Sequence, residues 1–122
     1  MRTYTGHYLA VFTSNRTSSK WRAWYAMTKA EQDATDEAGL AALKAWDEAN
    51  AADIFYAGGA LGPTKRTSEA GVADVVNELT GFVVVRAPPH KAAARLLEDH
   101  PHFTIFPCDG VDVIPLLGAR LM

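Results

Sequence analysis

A single cysteine, Cys108, stands in 122 residues. This excludes an internal disulfide framework and any multi-cysteine metal site. The chain also lacks charge of one sign: 12 Lys and Arg against 14 Asp and Glu leave a net charge of −2, with no electrostatic pull toward nucleic acid or an anionic membrane surface. Long apolar runs are missing, and none approaches the roughly 20 residues of a membrane span. The first seven residues lack the long apolar stretch of a secretion signal. The expectation is therefore a cytoplasmic protein, and the glycosylation-like Asn15-Arg16-Thr17 is read as incidental. What is present is a chain that is 48% hydrophobic, long enough to bury a core as one domain spanning 1–122.

Hydrophobic periodicity divides that domain. Tyr8-Leu9-Ala10-Val11-Phe12 is a short strand without clean alternation, which implies burial on both faces. Residues 20–27 hold Trp21, Trp24 and Tyr25 at the spacing of one side of a short helix. Thr28-Lys29-Ala30-Glu31 is a capping box. The long helix it opens runs to about Asn50, with Ala38, Ala42, Leu43, Trp46 and Ala49 as its apolar stripe and Asp47 among its polar decoration. Ile54-Phe55-Tyr56-Ala57 is a second strand, leading into Gly58-Gly59-Ala60-Leu61-Gly62. That glycine run does not match a phosphate loop and reads as a bulge or close backbone approach. The 62–79 connector is too long for a plain hairpin. The turn-like Ser68-Glu69-Ala70-Gly71 within it predicts a protruding β-arm.

A third doubly apolar strand, Phe82 to Val85, passes through Pro88-Pro89 into an Ala/Leu helix, with Pro89 in its first turn. Ala93, Leu96, Leu97 and His100 share one stripe, and Pro101 is expected to end the helix. Val111 to Ile114 is the last strand, closed by Pro115. The order βαββαβ is the α+β, ferredoxin-like arrangement: an antiparallel sheet with both helices on one face. Two helices leave the second sheet face bare, and a second copy of the chain is the economical cover.

Candidate chemistry gathers at Asp99, His100 and His102. A histidine near its ordinary pKa shuttles protons at neutral pH, and a helix C-terminus favours its protonated form. His100 on the inward stripe is the first candidate, assisted or oriented by Asp99 or His102; its alternative is a cap that fills space. A metal at His100-x-His102 lacks a spaced third ligand, so neither metal nor cofactor is expected. Lys65 and Arg66 are candidates to hold an anionic group. Trp21 and Trp46 are pocket walls for a planar ligand, or core. His90 is placed at the exposed start of its helix, and His7 at a strand edge. Cys108 has no neighbouring base and makes a poor nucleophile.

The Gly58–Gly62 run, Gly81-Phe82-Val83-Val84-Val85-Arg86-Ala87, Ala92-Ala93-Ala94-Arg95 and His100-Pro101-His102-Phe103 together resemble the YCII-related domain, from Tyr8 to Pro115. The resemblance implies a dimeric α+β barrel and relatives that act on small aromatic or lactone-like molecules. Some relatives carry a proposed His–Asp dyad. Its helix histidine falls near Gly39 here, and its aspartate position is His100, so the dyad does not transfer. The expectation is a cytoplasmic homodimer taking a small anionic or aromatic ligand. It would act as a cofactor-independent enzyme of isomerase, lyase or dehydrohalogenase type. The alternative is a non-catalytic ligand-binding or regulatory module; haem held by a cavity histidine, as in some α+β barrels, is a remoter option.

Overall fold

The computed structural model describes residues 4–86 and 89–118. Its elements run β1 (Tyr4–Thr13), α1 (Ser19–Ala26), α2 (Lys29–Ala49), β2 (Ile54–Ala60), β3 (Thr64–Ser68), β4 (Gly71–Val75), β5 (Leu79–Arg86), α3 (His90–Leu96), α4 (Pro101–Thr104) and β6 (Gly110–Leu117). Four strands pair in the order β2-β5-β1-β6, antiparallel throughout. With the arm set aside, this is the ferredoxin-like order expected from the sequence. The 62–79 connector folds as the arm: β3 and β4 form a separate two-stranded sheet, paired from Thr64↔Val75 to Ser68↔Gly71. Gly71 closes the turn at φ 107°, a conformation that suits glycine.

Side-chain alternation splits the sheet. Tyr8, Ala10 and Phe12 of β1 and Val83 and Val85 of β5 are buried, and pack with Ala93, Leu97 and Cys108 into the core. On the opposite face the register places Leu9 beside Val84 and Ile114, and Tyr56 beside Val84. There Ile114 is 47% and Tyr56 60% exposed. A broad apolar face is thus left without cover in the single chain.

Local chemistry explains the helix starts. The Thr28 hydroxyl accepts from the Glu31 amide at 3.2 Å and the Glu31 carboxylate accepts from the Thr28 amide at 2.9 Å, completing the capping box. The inward stripe of α2 is shifted from expectation. Gly39 is buried, with Leu43 and Trp46 half-buried, whereas Ala38 and Ala49 are exposed. Gly39 is there because Phe106 lies across it: a Cβ at that position would stand 2.4 Å from Phe106 Cζ. Gly58, at φ 65°, lies in a bulged stretch of β2 where a Cβ would meet the Phe82 carbonyl oxygen at 2.0 Å.

Three expectations at the ends of elements are corrected. Pro89 is the residue before α3, not within its first turn; Pro88 and Ala87 lie outside the described residues. Pro101 does not end a helix but opens α4 at its first position, where a missing N–H costs nothing. Pro115 does not close β6, which continues to Leu117. β6 is an edge strand, where proline is tolerated because its nitrogen has no ladder bond to donate.

Candidate functional site

His100 sits in the turn between α3 and α4, at the N-terminal cap of the latter. It is 3% exposed. Its ring packs 4.6 Å from Phe12 and 4.5 Å, edge-on, from Trp46. Nδ1 accepts a hydrogen bond from the His102 backbone N–H at 3.0 Å. A nitrogen that accepts is unprotonated, so the ring's proton sits on Nε2. Burial first, and then the nearby His102, push the His100 pKa down to about 4. The sequence had placed His100 at a helix C-terminus, where protonation is favoured. The structure reverses this: the imidazole faces an amide N–H at the start of a helix, inside the core.

His102, half-buried, has its ring 4.4 Å from Phe12 and 5.9 Å from the His100 ring. Burial lowers its pKa as well, leaving a neutral imidazole at pH about 7. Gly81 passes close by: a Cβ on it would lie in ordinary contact with His102 Nε2 at 3.5 Å and more tightly against the Gly59 carbonyl oxygen at 3.3 Å.

Both imidazoles line a cavity of about 180 Å³ between the sheet and α2, with Phe12, Trp46, Asp47 and the small residues Gly59, Ala60 and Gly81. Beside it opens a second, more apolar cavity of about 340 Å³, walled by Trp21, Trp24, Leu40 and Phe106. Leu43 and His102 belong to both linings and form the partition. Trp21 is fixed there by donating its indole N–H to Ser14 Oγ, which itself donates to the Pro107 carbonyl at 3.0 Å.

The fold thus brings His100, His102 and Trp46 together and sets Trp21 in the adjoining cavity. It does not bring in the others. Asp99 is exposed and lines neither cavity. Lys65 and Arg66 are on the arm, Lys65 paired with Asp74 across the hairpin at 2.6 Å, and neither lines a cavity holding histidine. His90 Nε2 donates to the Val113 carbonyl oxygen at 2.6 Å, which fixes the tautomer with its proton on Nε2. His7 lies against Phe55 at 4.3 Å. Cys108 is buried, donating to the Thr13 carbonyl at 3.0 Å, and burial raises its thiol pKa; such a thiol is inert. No group of three or more His, Cys, Asp or Glu is arranged to hold a metal among the described residues.

Asp47 is the site residue that sequence reasoning missed. It joins the lining of the histidine cavity from an exposed position on α2, and partial desolvation there raises its carboxyl pKa. The signal was available: Leu43, Trp46 and Asp47 follow the three–four spacing of one helix face. Near Gly39, where relatives of the resembling family place a helix histidine, the Phe106 ring occupies the space instead.

No family model matches the chain, and no curated protein matches it. Among solved structures it is similar to 5-chloro-2-hydroxyhydroquinone dehydrochlorinase (TftG) from Burkholderia phenoliruptrix AC1100, in complex with 2,5-dihydroxybenzoquinone. The two are 17% identical with a TM-score of 0.50, over 88% of this chain and 89% of that one. At that identity the likeness shows the fold: an α+β antiparallel sheet with its helices. No helix among the described residues is long and apolar enough to cross a membrane.

Proposed function

We propose that this protein is a homodimeric, YCII-related enzyme that moves a proton on a small aromatic molecule without a cofactor, as an isomerase, lyase or dehydrohalogenase. The observation that carries this reading is the neutral, half-buried His102 facing an apolar cavity. Its free ring nitrogen accepts a proton from a ligand O–H or C–H. In an isomerisation the imidazolium returns that proton at another atom. In a dehydrohalogenation the electron pair left behind expels halide. His100, held by the His102 amide, positions the turn that carries His102. Asp47 is the carboxylate in the lining of that cavity, and Asp99, which lines neither cavity, has no part. That the structurally similar TftG is a dehydrochlorinase bound to a dihydroxylated quinone supports this class of ligand. The test is turnover of chlorinated hydroquinones. In His102→Gln it should fall by about 100-fold or more, with the melting temperature held within a few degrees. Full turnover in a folded His102→Gln protein removes His102 from the mechanism.

The second reading is a small-ligand-binding or regulatory module, and one observation favours it. His100 spends its acceptor nitrogen on a backbone amide, and among the described residues no carboxylate hydrogen-bonds either imidazole. On this reading a hydroquinone binds and stays chemically unchanged over hours, as followed by its proton NMR spectrum. For the homodimer the support is the uncovered apolar face of the sheet.

A further inference from the structure

The histidine cavity and its neighbour each carry a carboxylate and no cation. Asp47 lines the first and Asp36 the second, while no Lys or Arg lines either. Three cations of the chain, themselves outside both linings, are engaged by other groups. Lys65 pairs with Asp74 at 2.6 Å on the arm. Arg16 stacks 4.4 Å over the Trp21 ring and donates to the Tyr25 hydroxyl at 3.4 Å. Lys20 donates to the Phe103 carbonyl oxygen. An anion entering the histidine cavity gives up water and finds no positive charge in exchange. It also approaches the Asp47 carboxylate. A hydroxyl meets the opposite situation: it donates to Asp47 or to an unprotonated imidazole nitrogen, and its ring lies against Phe12 and Trp46.

We infer that the site selects uncharged, hydroxylated ring compounds and rejects carboxylates and phosphates, with Asp47 as the specificity-determining residue. The anionic ligand expected from Lys65 and Arg66 is thereby replaced by a neutral one. This inference rests on the proposed reading of the cavity as a small-ligand site. Selectivity here comes from a repulsive element as much as from contacts.

The experiment is a matched pair, 4-hydroxybenzamide and 4-hydroxybenzoate, titrated calorimetrically into the full chain at about pH 7.5, where a benzoate is ionised. The amide should bind about tenfold more tightly than the carboxylate. Asp47→Asn, nearly isosteric and on a helix surface, should narrow the gap to about threefold or less. Asp36→Asn, in the neighbouring cavity, should leave it unchanged. If both compounds bind wild type equally, or the carboxylate binds more tightly, the cavity remains a ligand site and the charge selection is overturned. An undiminished gap in folded Asp47→Asn removes Asp47 as its source. If neither compound binds, the small-ligand reading fails and this inference falls with it.

Discussion

His100 illustrates how one buried ring couples stability to pH. Its ordinary value is 6.5, and burial pushes it down to about 4 in the folded protein. As pH falls, the unfolded chain therefore takes up the proton first. The stability that depends on neutral His100 is complete above pH 6.5 and is lost progressively toward pH 4. His102 is lowered in the same direction by burial and adds to the loss. Thermal melts across this window should show a falling melting temperature. His100→Asn keeps an acceptor for the His102 amide while removing the titration, so its melting temperature should change less over the same range. His100→Ala removes both the cap and the ring between Phe12 and Trp46, and should cost about 3 kcal/mol. Identical pH slopes in wild type and His100→Asn would show that another group carries the effect.

The β3–β4 arm behaves as an element apart. An isolated two-stranded hairpin is marginal in water, and this one is joined across its strands by an exposed Lys65–Asp74 pair worth at most about 1 kcal/mol. Val76 at its base is 100% exposed. The arm nevertheless springs from strand ends that carry Ala60 and Gly81, both on the histidine cavity. Its backbone amides should exchange with deuterium far faster than those of Val83 and Val85. Deleting Ser68 to Gly71 should leave the melting temperature within a few degrees while altering ligand affinity. Loss of the dimer on deletion would instead make the arm an interface element.

At the scale of the whole molecule, the sheet has one covered face and one bare one. Leu9, Val84, Ile114 and Tyr56 lie together on the bare face by strand register, a larger apolar surface than scattered exposed residues provide. Light scattering at micromolar concentration should give twice the chain mass of 13.2 kDa, and Ile114→Lys should shift the population toward monomer. A wild-type monomer with a stable melt would overturn the dimer.

Much of this architecture was legible in local sequence. Strand composition, the Thr28–Glu31 box and the Ser68–Gly71 turn are encoded by neighbours a few residues apart, so the element order and the arm could be read directly. His100 is buried as the helical stripe through Ala93 and Leu97 led one to expect, but α3 stops at Leu96 and the turn into α4 is what places it there. The chemical state of His100 was not legible. Whether Pro101 ends one helix or begins another depends on how the chain turns after Leu97, and that reverses which backbone groups meet the imidazole. Likewise, Asp47 joins the site, and Asp99, Lys65 and Arg66 stay away, through packing between segments distant in sequence. Gly39 marks the same limit: it is explained only by the Phe106 ring that lies against it. Sequence determined the elements because local hydrogen bonds and periodicity suffice to form them. Tertiary structure alone decided the site, because burial and charge contacts exist only once those elements pack.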